Sequence, residues 1–80
     1  MSDLHEIAAL YGVAIAQGHV FNDANKRTAF VSMATFLDLN GFDLVAASSE
    51  IVDTMVEVAE NRLDVSELAQ WLRARTLPNT

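Results

Sequence analysis

Eighty residues without one cysteine leave a chain nothing but its own apolar packing, or a partner, to hold it folded. Below roughly 70–80 residues a single core seldom supplies more than about 3–5 kcal/mol. Neither a disulfide nor a thiolate metal site can add to that here. The composition is 51% hydrophobic against 20% charged. That is too apolar for a disordered segment and suits one small domain spanning residues 1–80.

The hydrophobic period is helical almost throughout. Ser2 or Asp3 can cap a first helix in which Leu4, Ile7, Ala8, Tyr11, Ala14 and Ile15 recur at helical spacing, with Gly18 ending it. A polar loop from His19 to Ala24 follows. A second helix is expected from about Asn25 to Leu39, turning Ala29, Phe30, Met33, Phe36 and Leu37 inward. Asn40-Gly41 stops it, because Gly takes the left-handed conformation a helix end requires. Phe42 to Ala46 reads as a short extended link. A third helix starts near Ser48 as its cap and buries Ile51, Val52, Met55 and Val58 or Ala59, with Glu50, Asp53, Glu57 and Glu60 forming a solvated stripe. Asp64 and Glu67 make a capping box for a fourth helix carrying Val65, Leu68, Ala69, Trp71 and Leu72. Leu77 to Thr80 reads as a frayed end. The expected fold class is all-α, a bundle of about four helices.

The net charge is −6, which disfavours nonspecific binding to nucleic acid or an anionic membrane. No positively charged leader opens the chain. Its longest apolar stretch, Ile7 to Ala16, is shorter than the roughly 20 residues a bilayer span needs. A soluble, cytoplasmic protein is the expectation.

The placement of the basic residues is more telling than their number. Up to Asn61 the only Lys or Arg residues are Lys26 and Arg27, side by side. They belong to Gly18-His19-Val20-Phe21-Asn22-Asp23-Ala24-Asn25-Lys26-Arg27-Thr28, at the entry to the second helix. The first amides of a helix lack intrahelical acceptors and, with the helix dipole, favour an anion such as phosphate. Ala24 is small enough to let backbone approach a ligand. Asn25 can cap the helix or contact phosphate oxygens. Lys26 adds a point charge and Arg27 a bidentate fork. Two cations in a first turn oppose the dipole by about 0.3–1 kcal/mol each unless an anion is bound. Asp23 is either a cap or a hard oxygen ligand for Mg²⁺. His19 titrates near neutrality, as a general base should, though a cation at a helix end is also a common structural use. Phe21 is read as a core anchor of the loop and Thr28 as structural. His5 and His19 lie about 21 Å apart along a helix at 1.5 Å per residue, too far to share a metal ion.

The run from His19 to Arg27 resembles the signature of the Fic/Doc family, specifically its Doc branch of death-on-curing toxins. The Asn40-Gly41 break and the Asp64-Val65-Ser66-Glu67-Leu68 helix start are similar too. The resemblance implies a Fic fold and protein modification with ATP and Mg²⁺. His19 would deprotonate a hydroxyl of the target, Asp23 would hold Mg²⁺, and Ala24, Asn25, Lys26 and Arg27 would bind the phosphates. Most Fic enzymes transfer AMP and carry Gly at the position of Lys26. In Doc-like proteins the Lys accompanies a reversed nucleotide and γ-phosphate transfer. Elongation factor Tu is the implied target and a Phd-type antitoxin the implied inhibitor.

Doc-type proteins normally carry further N-terminal helices, including the segment that aligns the target. The expectation is therefore a truncated domain with an exposed apolar patch, completed as a homo-oligomer or by an antitoxin. The Fic self-inhibitory pattern has no counterpart here, which leaves control to a separate chain. The alternatives are a Fic-type AMP transferase and a non-catalytic module that binds antitoxin or nucleotide.

Overall fold

Asp3 begins the first helix as expected: its side chain accepts a hydrogen bond from the Glu6 N–H at 2.8 Å, supplying one of the acceptors a helix start lacks. The computed structural model describes residues 3–17 and 23–79, with side chains from residue 26 onward in the second stretch. Four helices follow one another: α1 (Leu4–Ala16), α2 (Asp23–Leu39), α3 (Ser48–Ala59) and α4 (Val65–Ala74). Two three-residue strands, β1 (Phe42–Leu44) and β2 (Thr76–Pro78), complete the chain. The fold is all-α, a four-helix bundle with a small ribbon at one side.

The core lies where α1, α2 and α4 meet, with α3 adding Met55 and Val58. Met33, Leu37, Leu68, Leu72 and Val58 are its largest fully buried side chains. The face α1 presents differs from the one expected. Ala8, Ala9, Gly12 and Ala16 are buried, whereas Tyr11 is half exposed and Ala14 exposed. Small residues win the inward positions because α2 packs closely against them. A Cβ on Gly12 would fall 2.3 Å from Met33 Sδ, so absence of a side chain sets the interhelical spacing. Gly12→Leu is expected to overpack this contact and cost about 1–3 kcal/mol. A thermal melt would show it as a fall in Tm of about 4–8 °C per kcal/mol.

Helix α2 starts at Asp23 rather than Asn25, and its stop is as read: Asn40 N–H bonds to the Leu37 carbonyl and Gly41 has φ +93°. Helix α3 corrects three expectations. Ala47, not Ser48, is its N-cap, with no side-chain cap bond. Val52 is 59% exposed, while Thr54, Met55 and Val58 are buried. The acidic stripe is also not purely solvated, because Glu50 accepts from Arg75 Nε at 2.9 Å and from its Nη2. Asp53, Glu57 and Glu60 are exposed as expected. The Asp64–Glu67 capping box of α4 is present in both directions.

The last residues are not frayed. β2 pairs antiparallel with β1 in the register Phe42↔Pro78, Asp43↔Leu77, Leu44↔Thr76. The ladder is extended by Val45 N–H to the Arg75 carbonyl at 2.7 Å and Asn79 N–H to the Gly41 carbonyl at 3.0 Å. Pro78 is tolerated because a two-stranded ribbon is all edge. Asn79 Nδ2 donates to the carboxylates of Asp38 and Asp43 at 3.1 and 3.2 Å, fastening the tail to the end of α2.

His5 joins the ribbon to α1. Its Nε2 shares a 2.8 Å hydrogen bond with Thr76 Oγ1, and its ring meets Phe42 edge-on at 5.1 Å. Burial pushes the imidazole below its ordinary value near 6.5; Asp3 opposes this shift and Arg73 adds to it. The folded state thus favours neutral His5. Its contribution is complete above the unfolded value and lost as pH falls through 6.5 toward the lower folded value. Tm should therefore decline between pH 7.5 and 5, and less so in His5→Gln. The carboxylates of Asp3 and Glu50, both shifted down by hydrogen bonds from the Glu6 N–H and Arg75 respectively, act in a separate, more acidic window.

Candidate phosphate-binding site

Because α2 begins at Asp23, the five residues Asp23, Ala24, Asn25, Lys26 and Arg27 occupy its first five positions. Asn25 is the third helical residue and Asp23 the first, so neither serves as the N-cap. The N–H groups of Asp23 to Lys26 are the four that an α-helix leaves without internal acceptors. The candidate anion donors thus come from the same residues as the candidate side chains. His19 and Phe21 lie outside the described residues, as do the side chains of Asp23, Ala24 and Asn25.

Lys26 is half-buried and Arg27 exposed. Both line a cavity of about 370 Å³ between α2 and α3, together with Phe30 from α2 and Ile51, Val52, Met55 and Val56 from α3. Elsewhere the arginines are engaged by acids. Arg73 pairs with Asp3 and, at 3.6 Å, with Glu6; Arg62 lies 3.5 Å from Glu60. Arg75 is held by Glu50 and lies over the Trp71 ring at 4.6 Å. Trp71 packs against the core as expected and also serves as this platform. The basic residues that line the cavity are Lys26 and Arg27.

The ends of the helices around the site are tied together. Gln17, the C-cap of α1, sends its side-chain amide to the Val58 carbonyl at 3.0 Å and to Asn61 Oδ1 at 3.1 Å. Asn61 itself closes α3 with φ +62°, the left-handed conformation that Asn adopts more readily than most residues. The chain leaves α1 at Gln17 toward His19 and re-enters helix at Asp23, so one end of that stretch is anchored to α3. Residues 18–22 connect these two points.

Sequence reasoning missed the α3 wall of the cavity. Val52 was assigned to the core, although Val52 and Val56 are four apart and form a second apolar strip beside the buried one. No group of three or more potential metal ligands occurs among the described residues. No helix among them is long and apolar enough to cross a membrane.

The family model described as Fic/DOC matches residues 1–37, which include α1, the connecting stretch and most of α2. Over 73 residues the chain is 48% identical to "Protein kinase doc" of Escherichia phage P1, covering 91% of this chain and 57% of that protein. Over 71 residues it is 37% identical to "Toxin Doc" of Mycolicibacterium smegmatis, covering 86% of this chain and 55% of that protein. The chain belongs to the Fic/Doc family, on its Doc branch. It spans a little over half the length of these two curated relatives. Both alignments run well past the region matched by the family model, so the likeness includes α3 or α4 as well as the signature.

Proposed function

We propose that the chain is the motif-bearing part of a Doc-like toxin that transfers the γ-phosphate of ATP to a hydroxyl of a target protein. The observation carrying this reading is the adjacent Lys26 and Arg27 at the first turn of α2, lining a cavity within the signature run. A relative 48% identical is named a protein kinase, which supports phosphoryl rather than nucleotidyl transfer.

In this reading the phosphates lie against the Asp23–Lys26 amides and the side chains of Asn25, Lys26 and Arg27. The cations offset charge on the transferring group, as phosphoryl transfer requires. His19 takes the proton of the target hydroxyl as its oxygen bonds to the γ-phosphorus. The bond from that phosphorus to the β–γ bridging oxygen breaks, and ADP leaves. Asp23 would hold Mg²⁺, whose charge would further neutralise the phosphates; a carboxylate is the hard oxygen donor this ion prefers. The family resemblance supports elongation factor Tu as the target, and in this reading its modification would arrest translation in the cytoplasm.

Control would come from a Phd-type antitoxin or from assembly with a further chain. Leu10, Tyr11, Val31 and Leu39 are each at least half exposed. Tyr11, Val31 and Leu39 line an open hollow with Ile15 and Phe36, an apolar area of the kind that marks interfaces. A second reading, a binding module without turnover, rests on the exposed apolar hollow, which offers a partner surface whether or not the site turns over.

ATP labelled at the α or γ position, incubated with the protein, Mg²⁺ and a translation extract, separates the cases. Protein-bound label from the γ position alone is the expected result. Label from the α position would mean AMP transfer, and none from either would favour the binding module.

A further inference from the structure

Helix α2 turns a second stripe away from the core. Arg27, Val31, Thr35 and Asp38 are all exposed, at spacings of four, four and three residues. At about 100° per residue these spacings keep them within an arc of about 80°. Val31 is 53% exposed, so core packing does not account for it. Along the edge toward α1, Val31 and Thr35 adjoin an apolar hollow with Ile15 and Phe36. The two ends of the stripe differ in charge. Arg27, on the edge toward α3, forms no ion pair among the described residues. The Asp38 carboxylate accepts from the neutral Asn79 amide.

We propose that this face joins two copies of the chain, with α2 of one running antiparallel to α2 of the other about a two-fold axis at the level of Met33. Such an axis sets Val31 of each copy against Thr35 of the other. It brings Arg27 to within one residue, about 1.5 Å of rise, of Asp38 in the second copy. Arg27 and Asp38 lie about 20° apart around the helix, so they share one edge of the stripe. An axis perpendicular to α2 and running along the interface keeps that edge on the same side in both copies. Two Arg27–Asp38 pairs then close the contact symmetrically, and the two hollows meet along the opposite edge. A cation and an anion eleven residues apart fit a copy running the other way, whereas a parallel copy would set like charges together. One self-complementary patch is all that an isologous contact needs. The net charge of −6 otherwise resists self-association, but the charges of this face cancel. The face is narrow, so the dimer should be weak, with a Kd on the order of 10–100 µM. The inference goes beyond the phosphate reading and does not rest on it.

Sedimentation equilibrium on the purified chain without nucleotide, from about 1 µM to about 1 mM, tests this. The average mass should rise with concentration toward that of two chains. Val31→Glu, which sets two carboxylates beside the axis, should weaken association by at least about tenfold. Val31 is exposed in the single chain, so the fold does not depend on it. Asp38→Arg should weaken association by about tenfold as well, and Arg27→Asp/Asp38→Arg should restore it to within a few-fold. Within one chain the two residues are about 16.5 Å apart along α2, so recovery can arise only across the interface. A chain that stays monomeric at the highest concentration overturns the proposal and leaves the face to a partner of different sequence. A dimer indifferent to Val31→Glu, or one that the charge exchange fails to restore, overturns this face and its antiparallel register.

Discussion

His19→Ala is expected to reduce γ-phosphate transfer by about 10²–10⁴-fold, the usual contribution of a positioned general base. That loss corresponds to about 2.7–5.4 kcal/mol of barrier at 1.36 kcal/mol per tenfold. In the proposed reaction the residue would act on the target hydroxyl, whereas the amides and cations of α2 would act on the phosphates. ATP affinity should accordingly be preserved in the variant. His5 supplies the control because it is the other histidine of the chain, and its bonds go to Thr76 and Phe42 at the ribbon. His5→Gln should retain transfer. Equal rates for wild type and His19→Ala would remove His19 from the chemistry. Equal loss of transfer and of nucleotide binding would assign it to the phosphate site.

Leu37→Ala is expected to cost about 2–5 kcal/mol, the lost transfer energy of a large side chain plus the cavity left behind. Leu37 has no exposed surface and sits among the largest buried side chains. For a domain this small the loss is a large share of total stability, and Tm should fall by at least about 10 °C. Leu39, two residues later on the same helix, is 79% exposed. Leu39→Ala should change stability by no more than about 0.5 kcal/mol. The same substitution at two neighbouring leucines thus tests the orientation of α2. Similar melts for the two variants would mean that α2 is not packed as described.

Features decided by a few adjacent residues were legible in the sequence. The Asp3 cap, the Asn40-Gly41 stop and the Asp64–Glu67 box each rest on local hydrogen bonds or backbone preference, and all three are present. The inward face of α1 was not legible. Of the expected stripe Ala8 is buried, but the count of apolar residues also points to Tyr11, whereas close helix approach selected Ala9, Gly12 and Ala16, whose small size registers weakly as hydrophobic signal. The ribbon escaped for another reason. Three residues are too few for alternation to show, and Phe42–Leu44 finds its partner more than thirty residues away. For the site, the cluster of Lys26 and Arg27 stood out because so little other positive charge precedes Arg62. Its apolar complement on α3 did not, since Val52 carries no mark that distinguishes a cavity wall from a core position.

One amide bears on how occupancy and chemistry could be linked. Gln17 grips the closing turn of α3 through Val58 and Asn61, and α3 is also a side of the cavity. A guest that displaces this helix must also pull at the root of the segment bearing His19. The wall of the cavity and the last turn of α1 therefore move as one mechanical unit.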